Sequence, residues 1–132
     1  MTAPRPIDVP PRLPLNPRLK PIPSVQETRA FHAAWDALTP CTLDPDHLSS
    51  NRIIAHGSGI DAMPYDMLRS RLIRHMRDNG WRRVAITSPT AECGKSTLAL
   101  NLALSLQRLR DRHSILLEMD MRRPSLADMM GI

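Results

Sequence analysis

Aromatic side chains are scarce in this sequence: Phe, Trp and Tyr together make up 3% of its 132 residues. A chain so poor in rings has no platform on which the bases of a nucleic-acid strand could stack, so a nucleic-acid partner is not expected despite a surplus of basic residues. Cysteine is as sparse. Cys41 and Cys93 stand too far apart for a metal-ligand spacing or a disulfide framework, which fits a reducing compartment. His47 and His56 have no neighbour at ligand spacing, so they read as loop or surface histidines. No run approaches the roughly 20 apolar residues of a membrane span, and Pro and Asp interrupt the first residues where a signal peptide needs a continuous apolar stretch. The expectation is a cytoplasmic chain with no anchor of its own.

Proline is what the chain has in excess, and its distribution divides the sequence. Ten of the 13 prolines lie between Pro4 and Pro45, and only Pro64, Pro89 and Pro124 follow. Proline removes a backbone donor and favours extended conformations, so residues 1–24 read as a Pro-rich flexible arm. Residues 25–62 read as a linker with one short helix, because Val25, Phe31, Ala34, Trp35 and Leu38 approximate an amphipathic face that ends before Pro40. Charge divides in the same way: residues 1–63 balance six basic against six acidic side chains, and residues 64–132 carry twelve against seven. The basic half suits a phosphate-bearing ligand, an acidic protein segment or an anionic surface.

Within residues 63–132 the apolar period changes twice. Met63–Asp78 places Leu68, Leu72 and Met76 on one helical face with arginines between, and Asn79-Gly80 supplies a stop that tolerates the left-handed conformation. Arg82–Thr87 and Ser114–Met119 are short and apolar, and read as strands; Arg52–Ala55 could form a brief third. Between the first two, Ser96–Arg110 repeats leucine at helical spacing on much of its surface. Ser125 begins a final short helix that stops at Gly131. Strand, loop, helix, strand is the opening of an α/β domain with a parallel sheet and flanking helices.

The loop between that first strand and helix carries the chemistry. Ser88–Thr97 reads Ser-Pro-Thr-Ala-Glu-Cys-Gly-Lys-Ser-Thr, and ends in the Gly-Lys-Ser-Thr of a phosphate-binding P-loop. Backbone N–H groups at the start of a helix converge on phosphate oxygens, which requires permissive residues in front and a helix behind. Glu92, Cys93, Gly94, Lys95, Ser96 and Thr97 are therefore the candidate nucleotide contacts: Gly94 lets the backbone approach, Lys95 reaches the β and γ phosphates, Ser96 ligates Mg²⁺ and Thr97 holds the α phosphate. Pro89 stands where the general pattern has glycine, and Glu92 would repel phosphate unless it points outward. Glu118 and Asp120, at the end of the second apolar segment, alternate with Met119 and can share one side, where Mg²⁺ is held.

From Tyr65 to Ile132 these elements resemble the bacterial tyrosine kinases of capsule and exopolysaccharide export. The likeness rests on Thr87-Ser88-Pro89-Thr90, Gly94-Lys95-Ser96-Thr97, Asn101-Leu102-Ala103, and the run from Asp120 through Arg122-Arg123-Pro124 to Ser125, which is similar to that family's second Walker-type motif. The resemblance implies a P-loop kinase domain, here its N-terminal part over residues 63–132, with the rest of the sheet lying beyond Ile132. It implies ATP and Mg²⁺ as cofactors, Lys95, Glu118 and Asp120 as catalytic residues, and Ser96, Glu118 and Asp120 at the metal. The implied reaction is transfer of the γ-phosphoryl group to tyrosine, and the implied partner is a membrane polysaccharide co-polymerase that brings the chain to the inner face of the plasma membrane. Glu118 replaces the family's first aspartate. Of the Glu-x-x-Arg-x-x-Arg pattern that supports ring assembly, the positions here are Met63, Asp66 and Arg69, so a ring is not expected. Two alternatives remain open: a nucleotide-binding regulatory partner without catalysis, and a related non-kinase ATPase. Thr90, where the partition ATPases carry a second lysine, counts against the latter.

Overall fold

The computed structural model describes residues 25–109 and 112–132, so the arm expected over residues 1–24 lies outside the described residues. The chain forms two compact units, Met1–Pro40 and Cys41–Ile132. In the first, helix α1 spans Val25–Asp36. Phe31 and Trp35, one turn apart, bring their rings to 6.0 Å. The helix closes with Ala37 N–H on the Ala33 carbonyl and Leu38 N–H on that of Trp35, short of Pro40.

The second unit is built from helices α2 (Pro45–Ser50), α3 (Met63–Asp78), α4 (Lys95–Gln107) and α5 (Leu126–Met130), with a 3₁₀ turn at Ile60–Ala62 leading into α3. Each boundary has a local cause. Asp44 caps α2 by accepting the Asp46 N–H, and Pro45 occupies the first turn, where a missing donor costs nothing. Helix α3 has the span expected from its periodicity and ends at Asn79; Gly80 turns left-handed and Trp81 N–H closes on the Met76 carbonyl. Helix α5 stops where Gly131 adopts φ +75°. A Cβ at Gly131 would also sit 3.1 Å from the His47 ring, so glycine is required there twice over.

The core lies where α2, α4 and α5 meet: Leu48, Ile53, Leu100, Leu104 and Leu126 are buried together, with Leu43, Met129 and Met130 packed against them. Each such side chain contributes about 2 kcal/mol of burial. The residues before α3 thus belong to the folded unit, and Ile53, Ala55 and Ala62 are almost fully buried. What holds the 52–57 loop is polar. The Asn101 side chain accepts the N–H groups of Ile54 and Ala55 at 2.8 and 2.9 Å and donates to the carbonyls of Arg52 and Thr97 at 3.0 and 2.9 Å. One turn along α4, the Ser105 hydroxyl donates to Asp66 of α3, and Arg69 donates to the Ser105 hydroxyl and carbonyl. Arg108 links Asp66 to the Gly57 carbonyl.

The parallel-sheet architecture expected from the sequence is not what forms. About half of the described chain is helical, and the described residues contain no strand or sheet. Arg82–Thr87, Ser114–Met119 and Arg52–Ala55 all run without regular structure. The first two are apolar and short enough for strands, but a strand exists only through a ladder partner, and a parallel pair needs cover on both faces. No backbone hydrogen bond joins them, and Val84, Ile115 and Leu117 stand exposed. The third spends its donors on Asn101 instead of a neighbouring strand.

Candidate phosphate-binding site

The loop in front of α4 is held by its own side chains. The Ser88 hydroxyl donates to the Thr90 carbonyl at 2.9 Å, and the Cys93 thiol donates to the same oxygen at 3.1 Å. Hydrogen bonding from the Ser88 side chain foremost, and from Thr90 after it, holds the exposed Cys93 thiol below its ordinary pKa. Glu92 at φ +59° and Gly94 at φ +82° both take the left-handed conformation, on either side of Cys93. Such a sequence of turns points consecutive backbone N–H groups to one side, the geometry of an anion nest. Glycine adopts that conformation freely; a glutamate there is strained by about 1–2 kcal/mol.

Gly94 is the cap of α4, and the first bond inside the helix runs from Leu98 N–H to the Gly94 carbonyl. The N–H groups of Lys95, Ser96 and Thr97 therefore face the helix's positive end without an intrahelical acceptor. The helix behind them is fixed to the core by Leu100 and Leu104 and to the 52–57 loop by Asn101.

Two motifs separated by 25 residues meet at this end of α4. Lys95 Nζ lies 2.5 Å from Asp120 Oδ2. The Arg123 N–H donates to the other Asp120 oxygen at 3.2 Å, and the two contacts, Lys95 foremost, hold the Asp120 carboxyl below the usual range. Beside it the Ser125 hydroxyl donates to the Ser96 hydroxyl at 3.0 Å. Glu118 completes the group from behind: its Oε2 accepts the N–H groups of Ser125 and Leu126 at 3.0 and 2.8 Å, capping α5. Lys95 thus meets Asp120 directly, while Ser96 and Glu118 are joined through Ser125. Glu92 and Cys93 are exposed on the loop, and the Thr97 carbonyl is engaged by Asn101.

Ser125 and Asn101 were not legible as site residues. Ser125 carried the signal of a helix cap, yet its hydroxyl makes no cap bond and reaches Ser96. Asn101 sits among leucines on α4, and a polar residue at a buried helical position was the available clue.

The donor set fits a hard, oxygen-seeking cation carried by a phosphate ligand. Ser96, Asp120 and Glu118 offer oxygen only, and no group of three or more His, Cys, Asp and Glu among the described residues could hold a metal alone. Comparison with protein-family models, with curated proteins and with solved structures finds no match.

Proposed function

We propose that this chain binds the polyphosphate of ATP with Mg²⁺ at residues 88–97, and that it acts as a protein-tyrosine kinase of polysaccharide export. The observation that carries the binding reading is the meeting of Lys95 and Asp120 at the N-terminus of α4, directly behind the left-handed Gly94. A lysine held by a carboxylate is a cation kept in place for a stronger anion, and the phosphate chain is that anion. Lys95 exchanges Asp120 for phosphate oxygens, while the N–H groups of Ser96 and Thr97 receive the same ligand. Asp120, released, and the Ser96 hydroxyl hold the cation. The bound nucleotide would supply the transferable γ-phosphoryl group, and Asp120 would be the carboxylate to accept the proton of a tyrosine hydroxyl. The tyrosine specificity and the export system rest on the sequence resemblance alone, as do the cytoplasmic location and a membrane co-polymerase partner. No helix among the described residues is long and apolar enough to cross a membrane.

A second reading, nucleotide binding without catalysis, is favoured by one contact. Glu118, a residue the kinase reading places at the metal, spends one oxygen on two backbone donors of α5. The two readings separate on incubation of the chain and its co-expressed partners with labelled ATP and Mg²⁺. The kinase predicts phosphotyrosine that disappears in Lys95→Ala. Nucleotide binding with no phosphotyrosine in either protein leaves the regulatory reading.

A further inference from the structure

We propose that the outward face of α3, with the segment that follows it, is a docking surface for an anionic lipid bilayer. This inference is independent of the nucleotide site. Helix α3 packs on α4 through Asp66 and Arg69, and so turns a second face to solvent. Met63, Met67, Arg71 and Arg74 follow one another along that face at steps of three and four residues, and all are exposed. Arg77 lies beside them, and after the Gly80 turn come Trp81, Arg82 and Arg83, all exposed too. Among the described residues none of these five arginines makes an ion pair, whereas Arg69 and Arg108 are turned toward Asp66 and pair with it. The only acid exposed on α3 is Asp78. Most of the net charge of the chain is therefore concentrated on a face that the fold leaves unneutralised.

The apolar residues select the occupant. Ile60 in the turn before α3 is 81% exposed, Met63 and Met67 are more than half exposed, and Trp81 is 53% exposed with its ring edge-on to His75 at 5.1 Å. A bilayer interface receives arginine at its phosphates and methionine and tryptophan at the level just beneath, and so accepts both halves of this face at once. A nucleic acid offers the phosphates but no apolar layer, and Trp81 alone makes no stacking series. The face is a convex helix surface, suited to a broad flat partner better than to a peptide that needs a groove. On it lies an open depression of about 320 Å³ lined by Ser70, Arg71, Arg74, His75 and Asp78, ample in volume for a phosphate headgroup.

The test is co-sedimentation of the full chain with vesicles of phosphatidylcholine alone and of phosphatidylcholine with about one-third phosphatidylserine, each across a salt series. Binding to the mixed vesicles alone is expected, falling steeply as salt rises. Neutralising three charges together, Arg71→Gln, Arg74→Gln and Arg77→Gln, is expected to weaken binding by roughly a hundredfold while leaving ATP titration unchanged. If that variant fails to fold, Arg82→Gln with Arg83→Gln serves instead, with a loss of roughly thirtyfold expected. Equal binding to neutral vesicles, no binding to either, or retention on DNA or polyglutamate without retention on lipid would overturn the proposal.

Discussion

Gly94, Lys95 and Asp120 carry the site, and each makes a separable demand. At Gly94 a methyl group would meet nothing within 4 Å, so Gly94→Ala is a test of backbone conformation alone. The variant is expected to lose about 1–2 kcal/mol in chemical denaturation, because an L side chain resists the left-handed φ, and to lose phosphate affinity as the loop relaxes. Asp120 plays two opposed parts. It holds Lys95 in the free chain, and it repels phosphate until a cation arrives. Asp120→Asn is therefore expected to bind ATP several-fold more tightly in chelator and to lose most of the gain that Mg²⁺ gives the natural protein. Titration with and without Mg²⁺ reads both; a variant that keeps the full Mg²⁺ dependence would remove Asp120 from the cation's ligands. Lys95–Asp120 is a partly exposed pair, so its contribution to stability is small, and the effect is expected in binding rather than in folding.

Asn101 is the residue on which the elements depend. It joins α4 to the 52–57 loop by three hydrogen bonds while being fully buried. Asn101→Ala would strand the N–H groups of Ile54 and Ala55 and the Arg52 carbonyl, and is expected to cost about 3 kcal/mol, visible as a lower urea midpoint. Helices α1, α3, α4 and α5 were legible because their signals are local; α2, in a stretch without sustained periodicity, was not. Leucine at helical spacing marked α4, Asn79-Gly80 marked the end of α3, and Ser125 with Gly131 bracketed α5. The expected strands failed for the opposite reason. Val84-Ala85-Ile86 and Ile115-Leu116-Leu117 have the composition of strands, but pairing is decided by what lies opposite, and no short window of sequence contains that information. The Asn101 contacts span 46 to 49 residues and were hidden by the same limit, save for those within α4. The approach of Asp120 to Lys95 spans 25 residues and lies beyond any short window in the same way.

Across the whole second unit, stability rests on a small apolar core between α2, α4 and α5 and on the polar network where α3 meets α4. The second of these is acid-sensitive. The Ser105 hydroxyl first, then Arg108 and Arg69, holds the Asp66 carboxyl below its ordinary value of 3.8. A group with a lowered folded pKa stabilises fully above its unfolded value and loses that contribution as pH falls through the folded one. The α3–α4 contact is therefore expected to be insensitive to pH above about 5 and to weaken below 3.8, with Asp66→Asn abolishing that part of the acid transition. Trp81 fluorescence during acid titration follows it. The charge of the same unit lies mostly outside the network, on the outer face of α3, which leaves the loop before α4 and the basic face as separate surfaces for separate ligands. The central claim is that the first of these receives a nucleotide's phosphates. Calorimetric titration of ATP-Mg²⁺ into the full chain and into Lys95→Ala tests it most directly: saturable binding at one site that weakens at least tenfold in the variant is predicted, and the absence of heat at several temperatures, or equal affinity in the two proteins, would contradict it.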